Sequence, residues 1–206
     1  MMRGWRIRAF LASAGLLLAA GPAWGQGAGG QGIGGQENGP ALFQCSRHFA
    51  NSEALYGIPR GILHAMSLVE SGRAGMPWPW ALNLSGRSHF PATRTEALRL
   101  MHDELGSLRA DVAVGCMQIY TRWHAGSFAA GEDILDPATN VTYAAGFLRE
   151  LHDRHGSWTE AVRRYHASDP QAQDTYLCRV LDWRVRLGYQ RETPEMLRLC
   201  AAGAPS

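Results

Sequence analysis

Glu70 ends the run Ala65-Met66-Ser67-Leu68-Val69-Glu70, and Gly72 follows two residues later. A carboxyl group at the end of an apolar helix faces the negative pole of the helix dipole and loses water. Both effects favour its protonated form. An acid tuned in this way can give up a proton near neutral pH and take one back, which is general acid–base chemistry. Asp111, upstream of Gly115-Cys116-Met117-Gln118, is a second carboxylate that could activate water, although it reads more simply as a solvated loop residue. Cys116 with His124 or His166 would make a thiol–imidazole pair only if the thiol were free. His152 and His155 stand three apart, a spacing that metal ligands use. They have no acid–histidine cluster beside them and read as solvated side chains, so no metal site is expected.

The rest of the composition narrows the class. There are four cysteines, Cys45, Cys116, Cys178 and Cys200, and none forms a CxxC, so no zinc knuckle is written. An even number in an exported chain suits two disulfides, with three pairings open. Export is expected because Arg3, Arg6 and Arg8 precede an apolar run from Ala9 to Ala20. Pro22 and Ala23-Trp24-Gly25 then complete a cleavable signal peptide over 1–25. A glycine- and glutamine-rich flexible linker over 26–42 follows, then a domain over 43–200 and a tail over 201–206.

The chain has 206 residues, 46% hydrophobic and 18% charged, which suits one globular domain. Every basic residue is arginine, and the formal net charge is +2 with three arginines in the leader. A nearly neutral chain without a basic block argues against a nucleic-acid binder. No stretch has the apolar length of a membrane-spanning helix, so no stable membrane insertion is expected after cleavage.

The elements that must hold Glu70 are mostly helical. Helices are predicted over 46–56, over 60–70 with Pro59 at its start, and over 95–105. A long helix runs to Asp153, with Asp136 as cap and Pro137 at its first position. Further helices cover 157–165, capped by Ser157, then 174–187 and 193–199. Ile62, Leu63, Met66 and Val69 share one face of the helix that carries Glu70, and Gly72 should cap its end. Segments 80–84 and 87–90 can pair around Ser85-Gly86, and 113–119 reads as an apolar turn and helix start. Trp78, Trp80 and Phe90 are core fillers before they are a sugar-stacking wall. The fold class is mainly α, α+β at most, with one small hairpin.

Four segments together resemble one family. Glu70-Ser71-Gly72 is similar to the ESG motif of the soluble-type lytic transglycosylases. Gly115-Cys116-Met117-Gln118-Ile119 resembles their GLMQI motif, and Asp136-Pro137 with Asn140 their DPxxN segment. Ala161-Val162-Arg163-Arg164-Tyr165-His166-Ala167 resembles AYNAG. The order and spacing match over roughly residues 43 to 170. The resemblance implies a lysozyme-like helical domain that cleaves the glycan strands of peptidoglycan in the periplasm.

Carried over position by position, it implies that Glu70 is the catalytic acid and base, with Ser71 supporting it. Met117 and Gln118 would line the cleft, and Tyr165 would direct its hydroxyl at the site. Gly115 would let backbone approach ligand, and Asn140 would fix the start of its helix. Cys116 stands where the family has leucine, and this GCMQ form resembles a sub-group with a further cysteine at the start of the domain. That resemblance implies a Cys45–Cys116 bridge, and parity leaves Cys178–Cys200. His166 stands where the family has asparagine, as a hydrogen-bonding substitute or a structural residue, and Ser168 replaces a glycine. The implied reaction leaves a 1,6-anhydro-N-acetylmuramic acid end and uses no cofactor. A hydrolytic muramidase and a non-catalytic peptidoglycan-binding assembly protein are the alternatives. The expected partners are glycan strands and a secretion, pilus or flagellar machine, with the enzyme a monomer.

Overall fold

The structure is a computed structural model that describes residues 43–166 and 169–202. The signal-peptide and linker expectations, and residues 203–206 of the tail, lie outside the described residues.

Helix α1 (Ser46–Tyr56) leads to α2 (Ile62–Ser71), the helix that ends on Glu70 and Ser71. It starts two residues later than its pattern predicts. Gly61, not Pro59, precedes it, with a positive φ of 84°. A Cβ at Gly61 would collide with the ring of Tyr189. The first amides of α2 are satisfied from another element. Glu53 of α1 is 4% exposed, and its two carboxylate oxygens accept from the amides of Gly61 and Leu63, each at 2.9 Å. Gly72 follows α2 in extended conformation, not as a left-handed cap. It must be glycine because a Cβ would lie 2.2 Å from the Leu68 carbonyl oxygen.

A two-stranded hairpin, β1 (Gly72–Arg73) and β2 (Met76–Pro77), leaves the end of α2 directly. Strands β3 (Leu82–Leu84) and β4 (Arg87–His89) pair around Ser85-Gly86 as their sequence predicts. Both turn residues have positive φ, which matches the twist of a tight hairpin. Helix α3 (Arg94–Met101) is shorter than expected, and Thr93 caps it through the Glu96 amide.

The sheet is larger than one hairpin. β5 (Val112–Val114) pairs antiparallel with β3, and β6 (Ile119–Tyr120) pairs with β5, in the order β4-β3-β5-β6. Segment 113–119 is therefore a strand and a turn, not a helix start. Val112 and Val114 face the core, and three residues are too few to show a strand period in sequence.

A short helix α4 (Thr121–His124) follows β6, and then α5 (Pro137–His155) runs 19 residues. Asp136 caps α5 through the Thr139 amide at 2.8 Å. α6 (Trp158–His166) begins at the Ser157 cap. α7 (Pro170–Arg186) starts four residues before its predicted position, because Asp169 caps it through Ala172 and proline follows. α8 (Pro194–Ala202) comes last. Helices α1, α2, α5, α6 and α7 pack on one another around Leu63, Met66, Ala144, Leu148 and Leu177. The class is mainly α with small antiparallel strands.

The bridge implied by the resemblance and the one left by parity are both present. Cys45 and Cys116 have Cα atoms 5.8 Å apart, and Cys178 and Cys200 5.4 Å. The first joins the start of α1 to the β5–β6 turn, and the second joins α7 to α8. No free thiol remains, so Cys116 is not a nucleophile. Two such bridges suit an oxidising compartment. Among the described residues, no helix is long and apolar enough to cross a membrane.

Candidate functional site around Glu70

Helix α2 delivers Glu70 to the packing between α2, α6 and α7. Its side chain is 10% exposed, and burial raises its pKa to about 7 against two opposing influences, the Tyr176 hydroxyl and the Arg179 guanidinium. The acid therefore exchanges its proton in the neutral range. Among the described residues, no carboxylate contributes to this shift.

Tyr176 and Arg179 act on the acid, and His166 stands beside it. His166, at the end of α6, holds Nδ1 at 3.9 Å from Glu70 Oε1. Burial first, and Arg179 second, lower the His166 pKa, so the imidazole is neutral at pH 7 and the contact is not an ion pair there. Its ring lies flat on Tyr176, with centroids 4.6 Å apart and planes 3° apart. Tyr176 of α7 is 2% exposed. Its hydroxyl has no partner at full hydrogen-bond geometry, yet it lies close enough to act on Glu70 as a long-range donor. Burial and the Glu70 charge raise the pKa of Tyr176 and Tyr165 well above the ordinary phenol value, so both remain protonated donors.

The Gly115–Gln118 turn forms the neighbouring wall. Gly115 has a φ of 79°, and a Cβ there would meet Asn140 Nδ2 at 2.7 Å. Its glycine thus admits Asn140 to the turn. Asn140 is fully buried and holds three backbone groups. Its Oδ1 accepts from the Met117 amide at 2.9 Å, and its Nδ2 donates to the carbonyls of Val114 at 2.9 Å and Ile134 at 2.8 Å. Asn140 is a clamp on the turn as well as a residue of the first turn of α5. Met117 is itself 0% exposed, so its side chain supports the wall from inside.

Gln118 takes a φ of 48°, an uncommon conformation for a residue with a side chain. Its side-chain Nε2 donates to the carbonyls of Ala81 at 3.1 Å and Gly115 at 3.0 Å, which offsets part of that strain. Ser71 is buried, and its hydroxyl bonds the Ser67 and Cys116 carbonyls at 3.1 and 2.8 Å. The Tyr165 hydroxyl donates to the Met117 carbonyl at 2.9 Å, and the Glu70 charge still reaches it.

The structure thus brings Glu70, Ser71, Met117, Gln118, Tyr165, His166, Gly115 and Asn140 into one neighbourhood, most of them as its frame. Asp111 accepts from Ser85 at the tip of the β3–β4 hairpin, at 2.8 Å. His124 pairs with the Tyr143 hydroxyl at 2.8 Å, and His152 stacks on Trp158. Trp80 packs on the core, while Trp78 and Phe90 flank the Arg73 guanidinium. Sequence reasoning missed Tyr176 and Arg179. Tyr176, Leu177 and Val180 make the apolar stripe of α7, and Arg179 stands three residues after the tyrosine at its border. That spacing was the available signal.

Comparison of the chain with protein-family models, with curated proteins and with solved structures gives no match.

Proposed function

We propose that this protein is a peptidoglycan lytic transglycosylase. The observation that carries the reading is a single desolvated acid with a pKa of about 7, set among neutral or cationic neighbours. Two carboxylates are the usual requirement for glycoside hydrolysis. One is enough when the substrate supplies its own nucleophile.

In the proposed reaction, protonated Glu70 gives its proton to the oxygen bridging N-acetylmuramic acid and N-acetylglucosamine, and the C1–O bond breaks. The neighbouring acetamido carbonyl stabilises the positive C1. Glu70, now a carboxylate, removes the proton from the C6 hydroxyl of the same sugar, whose oxygen closes onto C1. The products are a free N-acetylglucosamine hydroxyl and a 1,6-anhydro end, and Glu70 is protonated again. A pKa of about 7 fits a group that must act in both directions. Tyr176, the Gln118 turn and His166 would position the acid and sugar.

Two disulfides are consistent with the periplasm, where the substrate lies. Wall remodelling, or opening the wall for a secretion, pilus or flagellar assembly, is the role such a domain would serve. The test is digestion of purified peptidoglycan and mass analysis of the released ends. Anhydro ends support the reading, and reducing ends would make the protein a hydrolytic muramidase.

A further inference from the structure

We propose that the pocket beside Glu70, with Arg179 on its wall, is a subsite for a carboxylate on the acyl side chain of the glycan. The inference rests on the proposed activity and extends it from the sugar backbone to its substituent.

The pocket is lined by His166, Asp169, Thr175, Tyr176 and Arg179, together with Gln171 and Ala172, and has a volume of about 330 Å³. That is the small end of the range for ligand pockets, about 300–1,000 Å³. Its location is defined by the acid. Tyr176 and Arg179 act on the Glu70 carboxyl, and His166 stands 3.9 Å from it. A group seated in the pocket therefore belongs to a sugar whose bond meets Glu70. In peptidoglycan that bond joins two sugars, and of the two it is N-acetylmuramic acid that carries a lactyl ether and so an acid.

The polar groups of the wall differ in what remains for a ligand. The Asp169 carboxylate accepts from the Ala172 amide at 2.8 Å and caps α7. The Thr175 hydroxyl donates to the Gln171 carbonyl at 2.9 Å. Arg179 is exposed, and among the described residues no carboxylate lies within ion-pair distance of it. A guanidinium presents a planar fork of donors that suits a carboxylate. Its charge reaches Glu70, which is protonated for the first chemical step, so Arg179 is left for the substrate. The matching carboxylate has two sources. It is the lactyl carboxylate where the peptide stem is absent, or a carboxylate of the stem where it is present.

The test uses the full chain carrying Glu70→Gln, which cannot turn over, with and without Arg179→Gln. Calorimetry measures binding of four soluble probes: glycan fragments with an acidic stem, the same fragments with amidated stem carboxylates, stem-free fragments with a bare lactyl group, and chitotetraose, which has no acyl acid. Circular dichroism checks that each variant is folded. Loss of Arg179 is expected to weaken at least one acid-bearing probe by about tenfold or more and to leave chitotetraose unchanged. The probe that weakens names the carboxylate. Arg179→Lys should restore part of the affinity. Equal affinity with and without Arg179, or an equal loss for all four probes, overturns the subsite. If the unmutated protein still releases anhydro ends in that case, the proposed activity stands alone. If no probe binds and no ends are released, both fall.

Discussion

The Ser71 hydroxyl donates to the Cys116 carbonyl at 2.8 Å, which ties the residue after the acid to the turn beside it. On the far side of the same turn, Asn140 holds the Met117 amide. The Cys45–Cys116 bridge holds the turn to α1. The end of α2 and the Gly115–Gln118 turn are therefore one rigid frame, in which Gln118 keeps its uncommon backbone conformation.

Asn140→Asp tests that frame. The new carboxylate can still accept from Met117, but it faces the Val114 and Ile134 carbonyls with no proton to give. The two buried carbonyls and the charge together should destabilise the fold by about 3 kcal/mol or more. Urea unfolding at pH 7 reads this as a lower midpoint. An unchanged midpoint would contradict the clamp.

The two disulfides should differ in their contribution. Cys45–Cys116 spans 71 residues and Cys178–Cys200 spans 22. By chain entropy these correspond to about 4 and about 3 kcal/mol. Replacing each pair by serine and comparing urea midpoints should show the larger loss for Cys45 and Cys116. The first pair should also cost activity, because it frames the turn beside Glu70.

What the sequence made legible was mostly local. The Ser85-Gly86 hairpin, the Asp136 and Ser157 caps and the helix ending on Glu70 each depend on residues within a few positions. The contributions of Glu53, Tyr176 and Arg179 depend on partners far along the chain. Glu53 reads as an ordinary polar residue of α1 until α2 folds back and places two amides on it. Tyr176 reaches Glu70 only through the packing of α2 on α7. The strand 112–114 exists because β3 pairs with it.

Glu53→Ala would leave the Gly61 and Leu63 amides buried without acceptors. Each such amide costs about 1–3 kcal/mol. The expected result is a marked fall in Tm, and a smaller one for Glu53→Gln, which keeps one acceptor oxygen. Equal Tm values for the three proteins would show that water satisfies these amides.

Glu70→Gln should stabilise the protein in a defined pH window. The folded-state pKa of Glu70 is raised from 4.5 to about 7, so the native state binds the proton more tightly than the unfolded chain. The stability this group confers is full below the unfolded pKa and is lost as pH rises through the folded one. Measured as the difference between variant and wild type, the gain should be near zero at pH 4. It should grow to a few kcal/mol, about 3 at most, by pH 7–8. A pH-independent difference would mean that the acid is hydrated in solution.

The most direct test of the account is the release of 1,6-anhydro muropeptides from insoluble peptidoglycan, followed across pH for wild type and Glu70→Gln. Loss of the protonated acid predicts a wild-type rate that falls on the alkaline side with a midpoint near 7. The folded variant should release about 10²–10⁴-fold less at pH 7 and below. A folded Glu70→Gln protein that releases anhydro ends at close to the wild-type rate would remove Glu70 from the chemistry, and the account with it.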